Sequence, residues 1–272
     1  MASSVRIYTT GSNMKQATVT NSPNEDTGYP IENIFDDNPN TYWRPDSTAS
    51  LSNIELIFDL GSDPLLIDTL IVFVRDYEQL TQARSFGPIY ASYDGANWED
   101  TIKVMNLKDT TGPLRILTLS ASQYSYRYWK GTISGASGNQ PELSLVYFAR
   151  SFSFTASNIL PEENTDIALV EVDEFPGGHS IVRAVSKNIE GEFSREFLLR
   201  DTTDLELIRD AFEDSVGPLY PIILREGNNQ ADFHLCRFAD TRLPRVQRSL
   251  SGGYGITLNF KTIPFMRWDA AY

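Results

Sequence analysis

Apolar and polar residues alternate along most of this chain with the two-residue period of half-buried strands. The pattern is clearest at 53–60 (NIELIFDL), where Ile54, Leu56 and Phe58 mark one face, and at 124–133 (YSYRYWKGTI), where aromatics alternate. Further strands are predicted at 67–74, 88–94, 114–120, 142–148, 166–173, 180–186, 193–199, 219–225 and 255–263. Gly and Asp-Gly pairs between them (Asp94-Gly95, Gly177-Gly178, Glu190-Gly191, Gly252-Gly253) read as turns. The period changes once. In DTTDLELIRDAFEDS (201–215), Leu205, Ile208 and Phe212 recur at helical spacing. Thr203 followed by Glu206 reads as a capping box, and Gly217 as the stop.

This pattern predicts an all-β protein: an N-terminal jelly-roll-like β-sandwich, then a C-terminal β-barrel or sandwich with one packed helix near 203–214. The polar, proline-containing stretch 158–166 suggests a boundary, giving domains 1–155 and 156–272.

Composition narrows the function classes. The 272 residues are 41% hydrophobic and 12% aromatic, enough for sizeable cores. A net charge of -13 argues against nucleic acid as the main partner, since phosphate contacts need clustered Lys and Arg. One cysteine, Cys236, and two histidines, His179 and His234, leave no intrachain disulfide and few soft metal ligands. The N-terminus lacks the apolar core of a signal peptide, and the longest apolar run, 65–74, is broken by Asp68 and too short to span a bilayer. No HExxH, GxSxG, phosphate-binding or dinucleotide motif is present, and a non-enzyme is expected. His234 and Cys236 would share one strand face, as a structural pair rather than a catalytic one.

The loop IFDDNPNTYW (34–43) concentrates carboxylates, amides and a proline before a tryptophan. On the residues alone it reads either as an Asx-type turn or as an oxygen cage for a hard cation, with Trp43 as core anchor. Taken in order, YPIENIFDDNPNTYW, IELIFDLG, IDTLIVF, YASYDGANW, YRYWKGTI and ELSLVYF resemble the discoidin, or coagulation-factor C-type, galactose-binding-like sandwich over about 25–150. The resemblance implies a calcium loop built from Asp36, Asn38, Thr41 and Glu142, with Asp37 standing where the family usually has glycine. It also implies a sugar site on loops 44–50, 75–87 and 134–140, with Arg44, Tyr77 and Arg84 the best-equipped residues. In SYDGANW, Trp98 is expected to return to the core.

The second half, around DTTDLELIRDAFEDS, GPLYPIIL and GYGITLNFKTIP, resembles the barrel-plus-helix domain of long-tailed bacteriophage tail proteins. That resemblance implies a virion tail-tip or baseplate component, made in the bacterial cytoplasm. Its partners would be other tail proteins, its own copies in a ring and host-surface glycan, without membrane insertion. The alternative is a carbohydrate-binding module or lectin of a glycan-active system. Arg242, Arg245 and Arg248 recur every third residue and suggest a subunit contact more than a nucleic-acid one.

Overall fold

The structure, a computed structural model, describes residues 3–11, 17–21, 25–46, 54–61, 66–77, 80, 84–100, 103–108, 112–119, 124–135, 140–158, 164–167, 170–175, 179–184, 190–226, 233–248 and 253–263. In chain order the strands are β1 (Ser3–Thr9), β2 (Thr18–Asn21), β3 (Ile54–Asp59), β4 (Thr69–Val74), β5 (Arg84–Ser92), β6 (Glu99–Asp100), β7 (Met105–Asn106), β8 (Leu114–Thr118) and β9 (Tyr128–Gly135). They continue with β10 (Leu143–Asn158), β11 (Asn164–Ile167), β12 (Val170–Phe175), β13 (His179–Ala184), β14 (Glu190–Leu199), β15 (Ile222–Glu226), β16 (Phe233–Phe238), β17 (Gln247–Arg248) and β18 (Tyr254–Thr262). The helix α1 (Thr202–Asp214) lies between β14 and β15. The protein is all-β with one helix, as its periodicity predicts.

The first core is a sandwich. One layer is a six-stranded sheet in the order β2-β3-β9-β5-β6, with β7 on β5; the other is the run β10-β4-β8. β3 alternates buried and half-buried residues along its whole length, so Leu56 and Phe58 face inward. Phe58 and Trp129 meet Phe148 of the opposite layer at 5.0 and 5.1 Å between ring centroids. Gly131 of β9 is required by this packing: a Cβ there would sit 2.5 Å from the Phe86 ring. Trp43 is fully buried and anchors its loop to the core, its backbone bridging Leu143.

The second core is a closed barrel. β14, β18, β16, β15, β1 and β10 pair in sequence, and the end of β10 pairs back onto β14, so the ring of hydrogen bonds has no free edge. All of these pairs are antiparallel. Val5 and Ile7 of β1 lie in the same core as Phe197, Leu224, Phe238 and Phe260. The N-terminal strand is therefore a stave of a barrel otherwise built from residues after 150.

The suggested boundary near 155 falls inside β10. Its first part, Leu143–Ala149, pairs with β4 in the sandwich, and Arg150–Ala156 pair with β1 in the barrel. The two cores also share strands. Ile222 and Leu224 point into the barrel while Ile223 joins the sandwich core, and Cys236 and Leu235 divide in the same way. A strand buried on both faces reads as an unbroken apolar run, which is what PIIL shows.

Two local details differ from the sequence reading. The helix cap is Asp201, whose carboxylate accepts from the Thr203 and Asp204 N–H groups at 3.0 and 3.1 Å. A carboxylate satisfies two orphan donors and suits the positive helix end, so Thr203 lies inside the helix and no Thr203–Glu206 box forms. Strand β15 starts at Ile222, because the chain first turns through Val216 and Gly217, both at positive φ (51° and 61°).

Candidate functional site

In the extended stretch Tyr42-Trp43-Arg44, alternation buries Trp43 and turns Tyr42 and Arg44 to the opposite side. There they meet Tyr29, from the segment before the short helical turn, and Arg75, from the loop after β4. The four side chains form one column. The Arg44 guanidinium lies 4.2 Å from the Tyr29 ring centre, Tyr29 stacks on Tyr42 at 4.4 Å and 22°, and Arg75 lies 4.3 Å from Tyr42. Cations over ring faces are attracted by the ring quadrupole.

Carboxylates brace both ends of the column. Asp26 accepts from Arg44 Nη2 at 2.7 Å. Glu142 stands between the guanidiniums, 3.6 Å from Arg44 Nη1 and 3.7 Å from Arg75 Nε. Asp76 lies beside this pair and accepts the Glu142 backbone N–H at 3.0 Å. Burial pushes Asp76 up to about 6, with its backbone hydrogen bond from Glu142 opposing the shift. Burial likewise raises Glu142, while Arg75 and Arg44 hold it down. Tyr42 is pushed up to about 12 by burial and by its hydrogen bond with Tyr29. The hydrogen bond from Arg44 lowers Asp26.

The column is half-exposed. Its ring faces are covered by guanidiniums, so a ligand meets its rim: phenol hydroxyls, guanidinium N–H groups and carboxylate oxygens. Two buried donors beside it, Trp43 Nε1 and Arg44 Nε, have no hydrogen-bond partner. This array offers donors and acceptors in a fixed arrangement and no nucleophile aimed by a base.

Of the sugar-site residues named from sequence, Arg44 is in the column. Tyr77 is half-buried against the sandwich core, with the Arg115 guanidinium 5.7 Å from its ring centre. The Arg84 side chain lies outside the described residues, as do most of loops 44–50 and 134–140. Sequence reasoning missed Tyr29, Tyr42, Arg75, Asp26 and Asp76. The alternation in Tyr42-Trp43-Arg44 is the signal that could have found Tyr42.

Of the proposed calcium ligands, Asp36, Asn38 and Thr41 come together within one loop. Asp36 Oδ1 accepts the Asn38 N–H at 2.8 Å, Asp36 Oδ2 accepts the Thr41 hydroxyl at 2.6 Å, and Asn38 Oδ1 accepts the Asn40 N–H at 3.1 Å. This is a hydrogen-bonded Asx turn closed on itself. Glu142 instead faces the two arginines. Among the described residues, no three His, Cys, Asp or Glu side chains gather in one cluster. Asp37 adopts φ 57°, the left-handed conformation that glycine favours. Its carboxylate accepts from the Tyr147 hydroxyl at 3.1 Å and faces Arg237 of the barrel at 3.4 Å.

Elsewhere, Trp98 lies on the outer face of the sheet rather than in the core, with Lys130 Nζ 4.6 Å from its ring centre. The turn before it is held by Asp94, which accepts from the Ala96 and Asn97 N–H groups at 2.8 Å and is thereby kept well below the usual carboxylate range. The His234 ring packs at a tilt against Phe193, 4.8 Å between centres, and Cys236 is buried in the barrel. The His179 side chain is outside the described residues. Among the described residues, no helix is long and apolar enough to cross a membrane.

No protein-family model and no curated protein sequence matches the chain. Several solved structures resemble about half of it. A Ruminococcus gnavus GH29 fucosidase in complex with fucose is 20% identical over 52% of this chain, with a TM-score of 0.42. This chain covers 27% of that fucosidase, so the likeness spans about a quarter of the larger protein. The family 32 carbohydrate-binding module of NanJ from C. perfringens, in complex with galactose, is 15% identical over 53% of this chain and 99% of its own length, with a TM-score of 0.43. A module of a family 31 glycoside hydrolase from Clostridium perfringens is 15% identical over 50% of this chain and 96% of its own, with a TM-score of 0.40.

Proposed function

We propose that the protein is a non-catalytic carbohydrate-binding protein whose sandwich takes a saccharide at the rim of the Arg44–Tyr29–Tyr42–Arg75 column. The observation that carries this reading is the column itself. It is a half-exposed array of two phenols, two guanidiniums and three carboxylates, locked by stacking and ion pairs before any ligand arrives. A saccharide presents many hydroxyls that both donate and accept, and a prefixed array loses little conformational entropy in meeting them.

Asp76 and Glu142 are neighbouring acids, the arrangement a glycosidase would also need. Here Glu142 is ion-paired with Arg44 and Arg75, and Asp76 accepts the Glu142 backbone N–H, so both carboxylates are engaged within the column. The ring-forming tail component rests on the sequence pattern of the second half, and no feature of the geometry favours it over glycan binding.

The test is titration of neutral and acidic mono- and disaccharides by calorimetry and by amide NMR. At least one should bind with Kd on the order of 1 mM, about -4 kcal/mol. Arg75→Ala and Tyr42→Ala should weaken that saccharide at least about tenfold, about 1.4 kcal/mol. No shift from any saccharide, or full binding by both variants, would remove this reading.

A further inference from the structure

The end of the sandwich opposite the column carries a second aromatic group. Arg75 follows the last residue of β4, whereas Ile67, just before its first residue, bridges Tyr124. The two ends are thus roughly 25 Å apart along the strand. Tyr124 packs on Tyr126 at 5.5 Å between ring centres, and Tyr126 packs on Trp129 at 6.0 Å and on Tyr93 at 4.3 Å.

Tyr93 differs from the rest of this group. Tyr126 and Trp129 are buried and Tyr124 is half-buried, but Tyr93 is 64% exposed. It is nevertheless fixed. Its ring rests on Tyr126, whose hydroxyl donates to Glu99. The turn just after it is fixed as well: Asp94 Oδ1 accepts the Ala96 and Asn97 N–H groups, and Gly95, at φ 74°, donates to the Ser92 hydroxyl at 3.0 Å. Tyr126 covers one side of the ring and the other side faces solvent. A phenol held in this way has little rotamer freedom left to lose when a ligand covers it.

Size and charge select the occupant. A stable protein interface takes about 800 Å² from each partner, several times what one aromatic side chain offers. Asp94 and Glu99 are exposed beside the ring. The neighbouring cations are committed: Arg127 holds Asp59 through two hydrogen bonds of 2.6 and 2.7 Å, and Lys130 Nζ lies 3.4 Å from Glu55. An anionic sugar or an anionic lipid surface is therefore repelled. A bare cation gains most inside a cage of rings, and rings in contact at 4.3 and 5.5 Å leave no space between them. A neutral pyranoside fits, because its apolar C–H face matches one phenol in size. Asn97, in the same turn, is exposed and donates one amide N–H to Asp94; among the described residues its amide oxygen has no partner and can accept from a sugar hydroxyl.

We infer that the solvent face of Tyr93 is a second saccharide site, taking a neutral pyranoside by its C–H face. It rests on the glycan reading for its ligand class and on separate residues for its geometry. Two sites at opposite ends of one sandwich engage two separate glycan chains.

The test is NMR titration of the full chain, with isotope-labelled tyrosine rings, by methyl glycosides of galactose, glucose and N-acetylglucosamine. Methyl glucuronide and tetramethylammonium serve as anionic and cationic probes. At least one neutral glycoside should shift both the Tyr93 ring and the Asn97 amide, with Kd on the order of 1–10 mM. Read at the Asn97 amide, Tyr93→Ala should weaken it at least about tenfold, Tyr93→Phe should keep it within about threefold, and Arg75→Ala should leave it unchanged. If Tyr93→Ala does not fold, Tyr93→Leu, which keeps bulk without a flat face, gives the same readout. Silence at Tyr93 while the column responds would overturn the inference and leave the column standing. So would a loss in Tyr93→Phe as large as in Tyr93→Ala, or shifts with the charged probes alone. Shifts at Tyr93 that vanish in Arg75→Ala would overturn it as well, by showing a single site. Silence at both ends would remove the glycan reading together with this one.

Discussion

The Asp37 carboxylate of the sandwich loop meets the Arg237 guanidinium of barrel strand β16 at 3.4 Å, while its other oxygen accepts the Tyr147 hydroxyl at 3.1 Å. One aspartate thus joins the loop, the centre of β10 and the second core. Asp37→Gly keeps the left-handed backbone accessible and removes only these contacts, whereas Asp37→Ala also adds backbone strain. We expect a loss of about 1–3 kcal/mol for Asp37→Gly and more for Asp37→Ala, measured by urea unfolding. A double-mutant cycle with Arg237→Met should show coupling of about 0.5 kcal/mol or more. Equal stability of all variants would mean the contact does not form.

The barrel needs its first strand. Deleting residues 1–10 removes Val5, Ile7 and Tyr8 from the two cores and leaves β10 and β15 with unpaired edges. The expected outcome is a protein that aggregates or loses cooperative unfolding, read by size-exclusion chromatography and thermal circular dichroism. Residues 156–272 expressed alone should fail in the same way. A soluble, cooperatively folded fragment would show that β1 is dispensable.

Acidification should relieve a strain at Asp76. Its folded value, about 6, lies above the ordinary carboxylate value of 3.8, so the folded state holds its proton more tightly. As pH rises from 3.8 to 6, the unfolded chain ionises first and stability falls; above 6 the penalty is constant. Arg75 and Glu142 face this group and set its environment. Asp76→Asn removes the titration, so its stability relative to wild type should rise by on the order of 1–3 kcal/mol between pH 4 and pH 7. A pH-independent difference would show that Asp76 titrates normally.

Calcium should leave the fold unchanged. A ligand at a hundred times its Kd adds about 2.7 kcal/mol to stability, several degrees in melting temperature for a domain. With Asp36 committed to Asn38 and Thr41, and Glu142 to two arginines, millimolar calcium or a chelator should shift melting by less than about 1 °C. A larger shift would show that the loop rearranges into a cage.

The helix cap gives a local check. Asp201→Ala should cost about 1 kcal/mol, and Thr203→Ala much less, because Asp201 holds both first-turn donors. The reverse order would restore Thr203 as the cap.

Sequence alone determined the features that depend on neighbours along the chain. The alternation in NIELIFDL fixes which face of β3 is buried, the spacing of Leu205, Ile208 and Phe212 fixes the inner side of α1, and Trp43 is marked as an anchor by its bulk after a turn-rich loop. Only the tertiary structure decided that Ser3–Thr9 closes a barrel with Ile222–Glu226, and that Tyr29, Tyr42, Arg44 and Arg75 meet in one column. A strand's own pattern says which side is apolar but not which distant edge completes its hydrogen bonds. Many pairings satisfy the same alternation, and the choice among them comes from the cooperative closure of both cores.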